Sequence, residues 1–159
     1  MKNYKKDGKG RIECKNFIYE GDFVNDKKQG KGKIIYNDNG NIYEGEFNND
    51  DINGYGLYTF KNMHTYEGQF TNGIFNGEGT YKWPDGCYFK GKYINGVREG
   101  NGEYRFKDGK IYKGLFTKGK PNGKGIIVIK GKEYNCEFDN GKLLTDLKSN
   151  IKKRKNSTV

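Results

Sequence analysis

The stretch YEGQFTNGIFNGEGTYKW, at residues 66–83, contains the pattern that decides the fold. In both of its halves, aromatic residues and glycines occupy every second position, and charged or polar residues mostly occupy the positions between them. A period of two is the signature of a β-strand with two unlike faces. The stretch therefore predicts a β-hairpin with an aromatic face lined by rings and glycines and a charged face on the other side.

The same two elements recur along the chain at steps of 22 to 24 residues. The first element, aromatic-x-Gly-x-aromatic, starts at Tyr19, Tyr43, Tyr66, Phe89, Tyr112 and Tyr134. The second element, Gly-x-Gly followed by alternating apolar residues, starts at Gly8, Gly30, Gly54, Gly77, Gly100 and Gly123. We call them the first and the second strand of a repeat. An array of this kind is typical of solenoids, in which each repeat packs on its neighbours.

The connections between these elements differ in length. Six residues always separate a first strand from the following Gly-x-Gly, whereas the connection to the next repeat varies. The variable connection carries Asn39-Gly40, Asp85-Gly86 and Asp108-Gly109, which suit tight turns with positive φ.

This combination of Tyr-Glu-Gly-Asp/Glu-Phe, Asn-Gly-x3-Gly-x-Gly and Asp-Gly turns resembles the MORN (membrane occupation and recognition nexus) repeat. The resemblance covers residues 4–142, about six repeats with partial copies at both ends. It implies an all-β fold, an elongated single-layer antiparallel sheet of successive hairpins. Phe89 stands in place of the leading Tyr of repeat four, and Cys136 in place of the last motif glycine.

Composition excludes several classes of protein. With 25 Gly and no Ala, the chain cannot build a thick helical core. Its longest uncharged apolar run, Ile126 to Ile129, is too short to cross a bilayer, and no signal peptide begins the chain, which predicts a cytoplasmic location. Three cysteines, at 14, 87 and 136, fit neither a disulfide framework nor a zinc site, and Cys14 is expected to be packed.

Residues 143–159 are expected to form an amphipathic helix followed by a basic tail. Leu143, Leu147 and Ile151 recur at steps of four, with Leu144 beside them, as on one face of a helix. Four cations follow at 152–155, where the helix dipole favours positive charge.

Charge divides the array into two halves. Residues 16–80 hold 5 basic and 10 acidic residues, whereas residues 81–159 hold 19 basic and 8 acidic ones. Three interpretations stay open. The charges can form a solvated face with acids paired against Lys31 and Lys33, the basic half can bind an anionic surface, or unlike ends can assemble head to tail.

A peripheral membrane module is the alternative function. Its expected binding residues for anionic phospholipids or phosphoinositides are Lys90, Lys92, Lys113, Lys148, Lys152, Lys153, Arg154 and Lys155. Lysine outnumbers arginine 26 to 4, which disfavours base-specific recognition of nucleic acid. Residues 152–155 also fit a nuclear-import signal, and 157–159 a PDZ ligand.

Nothing in the sequence favours an enzyme. The single histidine, His64, falls in a turn and is expected to face solvent without a nucleophile partner, and no set of residues suggests a metal or a cofactor. By resemblance, such arrays are scaffolds that tether proteins to membranes or cytoskeletal structures and self-associate. The curved aromatic face is expected to grip a helix or peptide of a partner protein, through Phe60, Tyr81, Trp83, Tyr104 and Phe106.

Overall fold

The computed structural model describes residues 5–147, and these form one open antiparallel sheet of thirteen strands in sequence order. The strands are β1 Gly8–Glu13, β2 Phe17–Val24, β3 Lys27–Tyr36, β4 Ile42–Asn48, β5 Asp51–Thr59, β6 Thr65–Thr71, β7 Ile74–Lys82, β8 Tyr88–Ile94, β9 Val97–Arg105, β10 Ile111–Thr117, β11 Lys120–Ile129, β12 Lys132–Asp139 and β13 Lys142–Leu143. Each strand pairs only with its neighbours in sequence. The predicted all-β fold of successive hairpins is confirmed.

Two-residue turns close the hairpins inside the repeats. Between β2 and β3, Asn25 and Asp26 have φ of 51° and 69°, and Asn72 and Gly73 between β6 and β7 have 49° and 76°. Positive φ at both central residues defines the type I′ turn, whose twist matches that of paired strands. The connections between repeats are longer, except that the two residues Lys130 and Gly131 join β11 to β12. In the connection at residues 83–87, the Gly86 N–H donates to the Trp83 carbonyl (3.1 Å).

The motif glycines exist because a tyrosine ring lies over them. A Cβ at Gly79 would come within 2.4 Å of the Tyr66 hydroxyl oxygen, and one at Gly68 within 2.5 Å of the Gly79 Cα. The two glycines face each other across β6 and β7. Since no real Cβ tolerates such distances, the ring can lie flat against the sheet only where both positions are glycine.

The core is therefore one layer of side chains on the aromatic face. Tyr19, Tyr43, Tyr66, Phe89 and Tyr112 are all completely buried. Each leading ring packs edge-to-face against a trailing aromatic of the next repeat, as Tyr43 does with Phe70 (5.2 Å between centroids) and Tyr112 with Phe138 (4.7 Å). Edge-to-face pairs are a favoured aromatic geometry.

The last hairpin is regular although Cys136 replaces the motif glycine. Cys136 pairs with Gly125 on β11, and on its other side β13 pairs only with Phe138 and Asp139. No further Gly-x-Gly strand lies beside Cys136 in the described part of the chain, so its Cβ meets no backbone there.

The sheet ends at Leu143, one residue beyond the predicted boundary of the array. Leu143, expected to begin the amphipathic helix, instead closes β13. Leu147 packs against the core, and the rest of the predicted helix and basic tail lies outside the described residues.

Candidate partner-binding surfaces

A row of half-buried rings runs along the aromatic face where the second strands end. We call it the aromatic row: Tyr36, Tyr58, Phe60, Tyr81, Trp83, Tyr104 and Phe106. These residues share the face of the motif glycines because they follow Gly-x-Gly at every second position. Unlike the leading tyrosines, they retain solvent exposure.

Ring contacts make the aromatic row continuous from β5 to the end of β9. The centroid distances are 6.0 Å from Phe60 to Tyr81, 4.6 Å from Tyr81 to Trp83, 5.8 Å from Trp83 to Tyr104 and 4.8 Å from Tyr104 to Phe106. The five residues singled out from the sequence as a partner groove thus lie together on one surface.

His64 belongs to this surface as well. It is half-buried rather than solvent-facing, its Nδ1 lies 2.9 Å from the Tyr81 hydroxyl, and its ring packs edge-on against Phe60 (6.5 Å). The sequence signal for this placement was its position four residues after Phe60, at the end of the connection to β6. It supplies a polar edge to an otherwise apolar row.

The predicted anionic-surface lysines lie on the opposite, charged face. Lys90 and Lys92 on β8 and Lys113 on β10 are exposed. Glu103 on β9 stands between them, because it pairs in register with both Lys90 and Lys113 and its carboxylate lies 3.9 Å from Lys113 Nζ. The structure therefore brings the three lysines to one face but interrupts the basic strip. Lys148, Lys152, Lys153, Arg154 and Lys155 lie outside the described residues.

On the charged face, strands β1 to β5 form a groove of about 1130 Å³, which sequence reasoning missed. Strands of opposite charge alternate across it, with Lys9, Arg11, Lys31 and Lys33 on β1 and β3 and Glu20, Glu44 and Glu46 on β2 and β4. Lys33 and Glu44 pair at 3.7 Å. Tyr55 and Leu57 add exposed apolar surface at one end. In the sequence, the charged residues that alternate with the motif glycines could have indicated these strands of opposite charge.

Three polar side chains on this face bond to the backbone. Where the register shifts inside each hairpin, Asp22 accepts from the Lys31 N–H (3.1 Å), Glu46 from Tyr55 (2.7 Å) and Gln69 from Glu78 (3.0 Å). We call Asp22, Glu46 and Gln69 the bulge acceptors. A hydrogen bond from Lys9 and the bond from Lys31 hold the pKa of Asp22 below its usual value. The sequence had presented these positions only as part of a solvated strip.

The two buried thiols, Cys87 and Cys136, are not activated nucleophiles. Burial raises the pKa of Cys87 and of Cys136, which favours their protonated forms. Cys14, expected to be packed, is exposed, because it lies just after the edge strand β1, where none of the residues 5–147 form an earlier repeat that could cover it.

Residues 5–147 contain no cluster of three or more histidine, cysteine or acidic side chains able to hold a metal. Within the same residues, no helix has the length and apolar character needed to cross a membrane.

Comparison with known proteins identifies the repeat. A family model described as MORN repeat matches five consecutive segments, residues 19–41, 43–62, 66–88, 89–111 and 112–129, which together make up more than half of the chain. The comparison with curated protein sequences found no match to this chain.

Proposed function

The chain belongs to the MORN repeat family, and from that premise we propose that it is a non-catalytic scaffold that binds other proteins. The observation that supports this function is the aromatic row. Large aromatic side chains with partial exposure are the residues that most often dominate protein interfaces. Among the described residues, no second layer covers this contiguous set of rings on the single sheet.

The dimensions of the aromatic row favour a helical partner. From β3 to β9 there are six strand spacings, so at about 4.8 Å each the row is roughly 29 Å long. An amphipathic helix of about 19 residues has that length at 1.5 Å per residue. We therefore propose the apolar face of a partner helix as the occupant, with Trp83 and Phe60 as anchors. A scaffolding place at membranes or the cytoskeleton, and self-association, remain parts of this proposal.

Site-specific photo-crosslinking tests the scaffold function. A photoreactive phenylalanine at Phe106, on the aromatic row, should capture a discrete partner in cells, whereas the same group at the exposed Tyr55 on the charged face should not. Trp83→Ala should weaken that capture at least tenfold and Leu57→Ala should leave it unchanged. Equal capture at both positions, or capture insensitive to Trp83→Ala, would show that the aromatic row is not the binding surface.

A second function, binding to an anionic membrane surface, is favoured by the exposure of Lys90, Lys92 and Lys113 on one face. Each basic residue near such a surface contributes about 1 kcal/mol. Replacing these three lysines with Gln should reduce co-sedimentation with phosphatidylserine vesicles at low salt, and replacing Lys27, Lys31 and Lys33 should not. If both triple variants sediment like the unaltered chain, the described lysines do not bind the membrane.

A further inference from the structure

Strand β1 has one free edge. It is the first strand of the sheet and pairs with β2 on one side, while none of the described residues pairs with it on the other. An unpaired edge is a template for a further strand.

The register identifies β1 as a second strand of the repeat. Gly8 faces Phe23 and Gly10 faces Gly21, just as Gly30 faces Phe47 and Gly32 faces Gly45 in the next repeat. Inside the array, every such strand is covered on this side by a first strand, so the molecule itself shows which neighbour β1 accommodates.

A first strand contributes an aromatic ring and a hydrogen-bond acceptor to the second strand that it covers. On its free side, β1 receives neither from the described residues. At Gly32, a Cβ would lie 2.5 Å from the Tyr19 hydroxyl oxygen, and the nearby Lys31 N–H donates to Asp22. At Gly10, the atoms near such a Cβ belong to Phe23 of β2, and among the described residues nothing lies within 4 Å at Gly8. Among residues 5–147, therefore, no leading ring lies over Gly10.

The outward backbone groups of β1 follow from the same register. Lys31 donates its N–H toward the preceding strand, and alternate residues of an antiparallel strand point the same way, so Lys33 does too. Lys9 and Arg11 occupy the equivalent positions of β1, since they pair with Asp22 and Glu20 as Lys31 and Lys33 pair with Glu46 and Glu44. Their N–H groups therefore face the free edge.

The opposite end of the sheet is closed to the same kind of addition. A Cβ at Gly21 would lie 2.5 Å from the Cα of Gly32, so the Cβ of Cys136 would collide with the glycine of any strand added in that register. In addition, Leu144 donates its N–H to the Glu137 carbonyl and Thr145 Oγ1 accepts from the Glu137 N–H. A second copy thus cannot continue the array by placing its β12 against β1.

We propose that β1 accepts, by strand addition, an extended segment of another protein with the pattern aromatic-x-Gly-x-aromatic. Its glycine lies opposite Gly10, and its leading ring lies over Gly10. An acidic residue directly after the glycine accepts a hydrogen bond from the Lys9 N–H, as Asp22 does from the Lys31 N–H. An acidic residue directly before the glycine faces Arg11, as Glu20 faces Lys33. This edge is separate from the aromatic row, so either proposal can fail alone.

A labelled peptide with the sequence of residues 16–24, NFIYEGDFV, is a direct probe. Titrated into the full chain, it should bind saturably and shift the NMR resonances of β1. Arg11→Pro removes one outward N–H without breaking a bond to β2, and edge strands tolerate proline. It should weaken binding at least tenfold, whereas Arg11→Ala should change it less than twofold.

The peptide also supplies a test that does not depend on a folded variant. Replacing its glycine, the counterpart of Gly21, with Val should abolish binding to the unaltered chain. The proposal is overturned if the peptide does not bind at millimolar concentration, if the Val peptide binds equally well, or if shifts appear in β12 instead. Light scattering that shows the unaltered chain alone dimerising through β1, with loss of the dimer in Arg11→Pro, would assign the edge to a second copy and also overturn it.

Discussion

Repeats one to three, β2 to β7, and repeats four and five, β8 to β11, have the same strand register but not the same side-chain bonds. In the first group the leading tyrosine donates to the carbonyl three residues on, as from Tyr43 to Glu46 (2.9 Å), and a bulge acceptor bonds the facing strand. In repeat four, Phe89 and Lys92 occupy these positions and provide neither bond. In repeat five Tyr112 keeps only a longer one, to Leu115 (3.3 Å).

At the position where repeat one places Lys28 beside Tyr19, repeat four places Arg98 beside Phe89. Its guanidinium is half-buried and lies 5.4 Å from the Phe89 ring centroid and 5.9 Å from that of Phe116. The attraction between a cation and an aromatic ring is stronger when the cation is partly removed from water. The difference teaches that ring-on-glycine packing and the turns specify this fold, and that the hydrogen bonds around them are not needed in every repeat.

The largest expected difference between the two groups of repeats comes from adding a Cβ at the motif glycine of the first strand. At Gly68 a Cβ would lie 2.5 Å from the Gly79 backbone, whereas at Gly91 it would lie 2.9 Å from Gly102. Gly68→Ala should lower the free energy of unfolding by about 3 kcal/mol and Gly91→Ala by about 1 to 2 kcal/mol, because backbone cannot move aside. Urea unfolding measures both. Equal losses would show that the two groups of repeats are packed alike.

Alkaline pH should have the next largest effect, through buried tyrosines in both groups, because burial also raises the pKa of Tyr93 in repeat four and of Tyr112 in repeat five. Burial raises the pKa of Tyr19, Tyr43 and Tyr66 to about 12, from an ordinary value of 10.0. The unfolded chain loses these protons first, so the stability they support is present below pH 10 and is lost as pH rises through about 12.

Urea midpoints between pH 8 and 12 measure this decline. Tyr66→Phe should make it shallower, because that variant has one fewer group that ionises on unfolding. An identical pH dependence of the variant and the unaltered chain would contradict the expected contribution of Tyr66.

Exchange of a bulge acceptor should have the smallest effect. Glu46→Leu, which copies Leu115, should cost about 1 kcal/mol because the Tyr55 N–H loses its partner, and Leu115→Glu should gain about 0.5 kcal/mol. Glu44→Leu is the matched control, since Glu44 makes only an exposed ion pair. A cost for Glu44→Leu as large as that for Glu46→Leu would remove the distinction between the two positions.

Sequence periodicity was sufficient for most of the fold. Alternation within each element and the constant spacing inside repeats determined the hairpins, their faces and the burial of rings over glycines. Position in the repeat also brought together the aromatic row. These features depend on local spacing, which the chain displays directly.

What the sequence did not reveal depends on irregular backbone or on the neighbouring strand. The bulge acceptors bond only because the register shifts between Gly21 and Phe23 and at the equivalent places, and no period announces that shift. The position of Glu103 between Lys90 and Lys113 depends on the pairing of β9 with both neighbouring strands, which the pattern along a single strand does not display. The exposure of Cys14 depends on its place beside the edge strand β1, whereas the equivalent residues of interior repeats have described strands on both sides.

Pairing between sequence neighbours alone gives this molecule a property that few β proteins have. Every contact between strands closes a short loop, so the entropic cost of forming the sheet grows by similar increments from one hairpin to the next. Low contact order favours rapid folding. Duplicating or deleting a hairpin would leave every other loop unchanged. The array can therefore gain or lose repeats during evolution while the remaining strands keep the same pairing.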